Sequence, residues 1–270
     1  MPAVEQDLDL ADITARLAAC VHEAGIFALS KFRSQFKSWT KGASSPVSEV
    51  DIAVDEMLRE RLSRIDSRYG WLSEESTDNP ARLDTKRLWI VDPIDGTRAF
   101  IAGLTDWAVS VALVENGRPI TAALFAPAEN ALYLATVGRG ATVNGSALRA
   151  SDSPSLAGAR ATGPKRRLDA LARFEPGIVP VPRISSLALR IAHVAAAKLD
   201  IAFAGGNSHD WDLAAADLIV QEAGAIFSAF DGSIVVYNRP DPVHGALMAA
   251  GRERHRALTR LIKQEPAAFA

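Results

Sequence analysis

The sequence predicts an α/β protein: layers of helix and sheet in one compact unit, divided into two sub-domains that share a cleft. Three observations predict it. Apolar residues recur at three-and-four spacing in several long segments, as on helices buried along one side. Strand-forming runs crowd together between residues 88 and 143, separated by short turn signals. Beyond a stretch rich in Pro, Gly, Ser and Arg at 151–182, helical segments alternate with short apolar runs. The sub-domain junction is placed in that stretch, giving units 1–150 and 151–270.

Leu10, Ile13, Leu17, Cys20, Val21 and Ala24 predict a first helix over Leu8–Phe32. Trp39–Val47 contains Gly, Ser and Pro and reads as a loop. Ile52, Leu58, Leu62 and Ile65 predict a second helix ending near 68–70, and the apolar pair Trp71–Leu72 runs into Ser73-Glu74-Glu75-Ser76. Leu88–Val91 reads as a buried strand that stops at Asp92-Pro93. Trp107–Val114, Ile120–Phe125, Ala131–Thr136 and Ala141–Val143 then form an antiparallel meander, with a turn at Asn116-Gly117. In the second unit, helices are expected at Leu187–Ala197, Trp211–Gly224 and Arg252–Lys263. Strands are expected at Leu199–Phe203, Ala225–Ser228, Ser233–Val236 and Ala246–Ala249.

Composition narrows the function classes. At 270 residues, 48% hydrophobic and 23% charged, the chain is an ordinary globular protein and not a disordered, collagenous or coiled-coil one. A charge of −2 leaves no basic excess to displace counterions, so no nucleic-acid binding is expected. Cys20 is the single cysteine and has no internal partner, which suits a reducing compartment. No apolar run reaches the roughly 18–20 residues that span a bilayer. The acidic start MPAVEQDLDLADI does not read as a signal peptide. A cytoplasmic protein without membrane contact is expected.

The chemistry concentrates where the carboxylates fall. Asp92, Asp95 and Glu74 sit just past apolar strands, where α/β proteins build ligand sites. In Asp92-Pro93-Ile94-Asp95-Gly96-Thr97, Pro93 fixes one φ angle and Gly96 permits a tight reversal, so both aspartates and the Ile94 carbonyl can face one point. Hard oxygen donors of that kind suit Mg²⁺ at roughly 2.0–2.1 Å. Like charges gathered without a cation would cost several kcal/mol. A turn with solvated acids gives the same pattern for any one motif alone. Asp51, after Ser45-Pro46-Val47-Ser48, and Asp212, in Trp211-Asp212-Leu213, stand at helix starts, where a capping role is the alternative.

Glu74-Glu75, DPIDGT at 92–97 and WDLAAADLIVQEAG at 211–224 resemble, in order, the motifs of the inositol monophosphatase family. The resemblance covers roughly residues 10–250. It implies a fructose-1,6-bisphosphatase/inositol-monophosphatase-like αβαβα sandwich and a Mg²⁺-dependent, lithium-sensitive phosphomonoesterase with two or three Mg²⁺ per site. Glu74, Asp92 and the Ile94 carbonyl would hold one ion, and Asp92, Asp95 and Asp212 another. Thr97, with Asp51 behind it, would orient the attacking water. Gly96 and Thr97 would offer N–H groups to the phosphate, and Lys41 corresponds to a mobile loop over the metals.

The substrate end departs from the true inositol monophosphatases. Phe203-Ala204-Gly205-Gly206-Asn207-Ser208-His209-Asp210 has no carboxylate near Ala204–Gly205, where those enzymes place a sugar-binding glutamate. Asn207, Ser208 and His209 are alternative contacts there. Leu72-Ser73-Glu74-Glu75, Asp95–Ile101 and Ser185-Ser186-Leu187 lean toward the 3′(2′),5′-bisphosphate nucleotidase branch. Ser185 and Ser186 are candidates for substrate contact or for a helix cap. Arg98 and Lys165-Arg166-Arg167 are candidates for a second phosphate. The expected substrate is a small phosphorylated metabolite, 3′-phosphoadenosine 5′-phosphate first, with inositol 1-phosphate and histidinol phosphate as alternatives. A homodimer and, as a non-enzymatic alternative, a regulatory protein of the transcription machinery are further expectations.

Overall fold

Helix α1 (Leu10–Lys31) buries Ile13, Leu17, Val21, Ala24 and Ala28 as one stripe. It is long and apolar enough to cross a membrane by length and composition alone, but its stripe is packed against a sheet. Gly25 lets it approach: a Cβ there would lie 2.3 Å from the Phe125 ring. The computed structural model describes residues 9–42 and 45–269.

Among the described residues, seven strands form the sheet under α1: β3 (Gly70–Ser73), β4 (Arg87–Asp95), β5 (Ala108–Glu115), β6 (Arg118–Ala126), β7 (Ala131–Thr136), β8 (Ala141–Val143) and β9 (Ser146–Ala147). They lie in chain order, with β3 parallel to β4 and the rest an antiparallel meander. A hairpin, β1 (Ser38–Lys41) and β2 (Ser45–Ser48), precedes α2 (Glu49–Ser63). The region 39–47 is therefore paired strand where a loop was expected; residues 43–44 lie outside the described part. Thr40 pairs with Pro46 and Lys41 with Ser45, so Ser45 and Pro46 are strand residues and Gly42 directly follows the first strand.

A second sheet has the order β11 (Val179–Pro180), β10 (Arg160–Thr162), β12 (Ile201–Ala204), β16 (Leu247–Gly251), β14 (Ala225–Ala229). The pair β13 (Ser208–His209) and β15 (Val243–His244) lies apart from it. Between the two sheets lie α5 (Leu187–Ala195) and α6 (Asp210–Glu222), whose Leu189, Ile191, Leu213 and Ile219 share one core with both. Outside the second sheet, α4 (Lys165–Phe174), α7 (Arg252–Gln264) and α8 (Pro266–Phe269) close a further core around Leu171, Phe203 and Leu258. With α1 and α2 on the far face of the first sheet, the layers run α, β, α, β, α. The short helix α3 (Thr97–Ile101) follows β4 directly.

Three expectations need correction. The 151–182 stretch holds β10, α4 and β11, so it is part of the second sheet and its outer layer. Ser233–Val236 forms no strand: Ile234 and Val236 face out and Val235 and Tyr237 in, but the Val235 carbonyl accepts from the Arg118 side chain (2.6 Å) instead of a neighbouring strand. The strand ending at Asp92 continues to Asp95.

The charges also segregate in a way that the net value conceals. Helix α4 has Lys165, Arg166, Arg167 and Arg173 against Asp169. Helix α7 has Arg252, Arg254, Arg256, Arg260 and Lys263 against Glu253. The outer layer is strongly basic on a protein of net charge −2.

Candidate active site

Asp92 pairs with Ser110 and Asp95 with Ala108, so β4 spends three residues where β5 spends two. Residues three apart on a regular strand face opposite sides. One extra residue brings both aspartates to the same side, the usual work of a β-bulge. Gly96 then turns the chain at φ 97°, where a Cβ would sit 3.0 Å from the Asp106 carbonyl, and α3 begins.

Asp212 arrives from the second unit. It is the third residue of α6, and its Oδ2 accepts from the His209 backbone N–H at 2.6 Å. Oxygen atoms of Asp92, Asp95 and Asp212 all lie within 4.8 Å of one another. Glu74, just past β3, lines the same cleft outside that triplet. The cleft has a volume of about 390 Å³, and Ser45, Gly96, Thr97, Arg98, Arg183 and Ser185 also line it.

The carboxylates are unequally satisfied. Asp95 accepts from the Ser186 hydroxyl (2.6 Å) and from the N–H groups of Leu187 (3.1 Å) and Ala188 (2.6 Å). Among the described residues Asp92 receives only the Ile94 N–H on Oδ1 (3.1 Å), and its Oδ2 is buried without a partner. Burial, then the charge of Glu74 and of the other aspartates, pushes Asp92 well above the ordinary carboxylate range. Burial and Asp95 do the same to Asp212. Burial raises Glu74 to about 7 against the pull of Lys41, and raises Asp95 against its hydrogen bonds.

These groups resist ionising together, and an oxygen with no donor sits among them. A hard divalent cation fits both facts, held by Asp92, Asp95 and Asp212 with Glu74 beside them. The Ile94 carbonyl, the expected backbone ligand, accepts the Thr97 hydroxyl at 2.9 Å and keeps a second lone pair.

Thr97 Oγ1 is also 3.0 Å from Asp51 Oδ1. Asp51 caps its own helix: its Oδ2 accepts the Ser48 N–H at 2.9 Å and the Ser48 hydroxyl, completing a capping box. The capping and catalytic readings of Asp51 are therefore compatible, because one oxygen serves each. Burial raises Asp51 above the usual carboxylate range, a suitable setting for a proton acceptor.

Lys41 Nζ lies 2.6 Å from Glu75 Oε2 and 3.2 Å from the Glu74 carbonyl, so the hairpin reaches over the acidic turn. Ser185 lines the cleft, whereas Ser186 is fully buried. The Ser186 hydroxyl accepts the Leu189 N–H as the α5 cap and donates to Asp95, so of its two expected roles Ser186 takes the helix cap, and it positions Asp95 in place of touching substrate. Lys165 and Arg166 line a separate hollow with Ala267 and Ala268 on the outer layer, so this basic stretch is not in the cleft. Ser208 turns inward to the Gly205 carbonyl (3.1 Å), while His209 stacks on Trp211 (4.5 Å between centroids) with Nδ1 3.9 Å from Asp212.

Sequence reasoning missed the residues that hold these in place. Asp55 accepts from the Ser73 and Ser76 hydroxyls and fixes the turn bearing Glu74. Asp106 accepts the Ser185 N–H (2.6 Å). Asp210 takes His244 Nε2 (2.6 Å) and the Asn238 N–H (2.7 Å), anchoring the start of α6. Only Asp55 left a sequence signal: an acid four residues after Asp51 on the same helix face.

The model of the inositol monophosphatase family matches residues 9–267. The inositol-1-monophosphatase of Rhizobium meliloti is 31% identical over 235 residues, 84% of this chain and 85% of that protein. The Nus factor SuhB of Escherichia coli K12 is 35% identical over 201 residues, 71% of this chain and 74% of that protein. Among solved structures, the extragenic suppressor protein SuhB of Bartonella henselae superposes with a TM-score of 0.83 at 25% identity, covering 94% of this chain and 99% of that one.

Proposed function

This chain belongs to the inositol monophosphatase family of phosphatases, and from that premise we propose that it is a Mg²⁺-dependent phosphomonoesterase whose substrate is a 3′(2′),5′-bisphosphate nucleotide. One observation carries the reading: the partnerless Asp92 oxygen among Asp95 and Asp212, beside a Thr97–Asp51 pair.

A divalent cation bound by those aspartates would supply Lewis-acid polarisation of the phosphoryl oxygens. The chain's own residues do the rest. Thr97 Oγ1 orients the attacking water and takes its proton while passing its own to Asp51 Oδ1. Asp51 keeps the Ser48 donors on its other oxygen, so it holds its orientation as it gains the proton. Gly96 and Thr97 line the cleft where backbone N–H groups receive an anion. The three donors on Asp95 fix that carboxylate, so its direction survives substrate exchange.

Two features support the nucleotide over a polyol. Arg98 lines the cleft at α3, a cation suited to a further phosphate. The segment Ala204–Gly205 carries no carboxylate for sugar hydroxyls. Phosphate release with Mg²⁺ from 3′-phosphoadenosine 5′-phosphate, inositol 1-phosphate and histidinol phosphate tests this. The nucleotide is expected to give the highest kcat/KM; a preference for inositol 1-phosphate would reverse the substrate assignment.

A second reading has its own support. Relatives named Nus factor SuhB and the basic layer of α4 and α7 favour a contact with the transcription machinery, either as well as or in place of catalysis. Association retained by an inactive Asp95→Asn variant, and lost when Arg166, Arg173 and Arg260 become glutamate, would favour it.

A further inference from the structure

We propose that Arg183 is the residue with which this chain reads a second phosphate on its substrate, making Arg183 and Ser185 an anion subsite in the same cleft as the carboxylates. This rests on the phosphatase reading of the same cleft.

Arg183 is exposed and lines the cleft that holds Glu74, Asp92, Asp95 and Asp212. Among the described residues it makes no ion pair with any of them. An arginine free to move among several carboxylates would be expected to swing onto one and form a bidentate pair. Here its backbone is mounted so that it stands apart.

The Ile184 carbonyl accepts two donors from Arg190, at 2.6 and 3.2 Å. The Ser185 N–H donates to Asp106 Oδ2 at 2.6 Å, and the Ser186 N–H to the Asp106 carbonyl at 3.1 Å. On the other side, the Val181 N–H pairs with the Ala161 carbonyl of β10 at 2.9 Å. The segment 181–186 is thus fixed from both ends. Arg183 therefore enters the cleft from an anchored backbone.

Arg190 adds a second reason. It is buried beneath this segment, close enough for the two guanidinium charges to repel. Asp95, Asp106 and Asp212 offset the Arg190 charge, whereas among the described residues Arg183 forms no ion pair. An incoming anion with several acceptor oxygens would supply one. A cleft of about 390 Å³ falls within the size range of small-molecule sites and leaves room beyond the scissile phosphate. Arg98, on α3, faces the same space from the carboxylate wall.

The test compares 3′-phosphoadenosine 5′-phosphate with 3′-AMP, which lacks the 5′-phosphate, using wild type, Arg183→Gln and Arg183→Lys with saturating Mg²⁺. Removing a charge-assisted contact is expected to lower kcat/KM for the bisphosphate by about 10- to 100-fold through KM. The values of kcat, and all parameters for 3′-AMP, should stay unchanged within about twofold, and the lysine variant should recover part of the loss. An equal loss on both substrates would mean a structural role and overturn the proposal, as would an unchanged KM for the bisphosphate. Wild type that hydrolyses 3′-AMP with no preference for the bisphosphate would overturn the subsite and leave the phosphatase reading standing. Turnover of neither substrate would overturn both.

Discussion

Asp92 belongs to the carboxylate wall of the cleft and Asp106 backs the adjoining wall at Ser185, and their surroundings differ in kind. Asp92 is buried with one oxygen unpartnered, four other acids around it and its carboxyl pushed well above the ordinary range. Asp106 is half-buried and uses both its carboxylate and its carbonyl to hold Ser185 and Ser186. The first wall stores unfavourable charge; the second is saturated with hydrogen bonds. Proteins keep a locally unfavourable arrangement where function requires it and satisfy their polar groups elsewhere. The contrast therefore predicts opposite signs for stability: relieving the first wall should strengthen the metal-free fold, and loosening the second should weaken it.

The largest effect is expected from Asp92→Asn. Removing this charge should lower kcat by about 10³-fold, the upper range for losing one preorganised electrostatic group. The thermal midpoint without metal should be no lower than wild type, because a buried repulsive charge is gone. The rise in midpoint on adding Mg²⁺ should disappear. Calorimetry with and without Mg²⁺ checks both parts. A variant that is active, or markedly less stable without metal, would break the comparison.

Asp217 separates burial from reactivity. It lies five residues after Asp212 on α6, fully buried, but it receives Gln221 and the Tyr237 hydroxyl (3.0 Å). Burial, opposed by those bonds and Arg118, holds it up to about 6. A carboxyl whose folded value lies above its unfolded value stabilises the fold fully below the unfolded value. That stabilisation is lost as pH rises through about 6. The loss amounts to about 3 kcal/mol between pH 3.8 and 7. Asp217→Asn should remove this slope, so the variant gains on wild type as pH rises, measured by urea unfolding at pH 4, 5.5 and 7. A gap that stays constant with pH would show that Asp217 is charged throughout.

Thr97→Val keeps the shape of the carboxylate wall and removes its proton relay. A loss in kcat of about 10²-fold with KM unchanged is expected for a general-base contribution. A loss confined to KM would reassign Thr97 to phosphate binding.

The contrast between the walls also explains what could be read from the sequence. The first wall is local: the bulge, the turn at Gly96 and two helix-start acids lie in short motifs whose chemistry is visible in the residues themselves. The α–β layering followed from periodicity, and the meander from its turns. The second wall is assembled from distant parts. Ser186 meets Asp95 across 91 residues, and Ser185 meets Asp106 across 79. A lone aspartate or arginine gives no sign of such a partner, so the sequence singles out none of Asp106, Arg183 and Arg190 and leaves Ser186 between substrate contact and helix cap. Composition misled in two places for related reasons. Gly and Ser concealed the 38–48 hairpin, and the Pro, Gly, Ser and Arg of 151–182 concealed β10, α4 and β11.

The smallest effect sharpens the comparison most, because it asks whether the saturated wall acts only through the residues it holds. Asp106→Ala frees the N–H of Ser185 at a half-exposed position, which should cost about 1 kcal/mol of stability. That corresponds to a fall of about 2 °C in the thermal midpoint for a chain of this size. Catalysis on the bisphosphate should lose about 5- to 10-fold in KM with kcat retained, since the reacting groups sit on the other wall. If Asp106 serves mainly to mount Arg183, the two substitutions are not independent. In an Arg183→Gln background, Asp106→Ala should leave KM nearly unchanged while still lowering the midpoint, so coupling appears in the binding cycle and not in the stability cycle. Additive effects on KM would show instead that Asp106 orders the cleft through Ser186 and Asp95, and the two walls would then form a single mechanical unit.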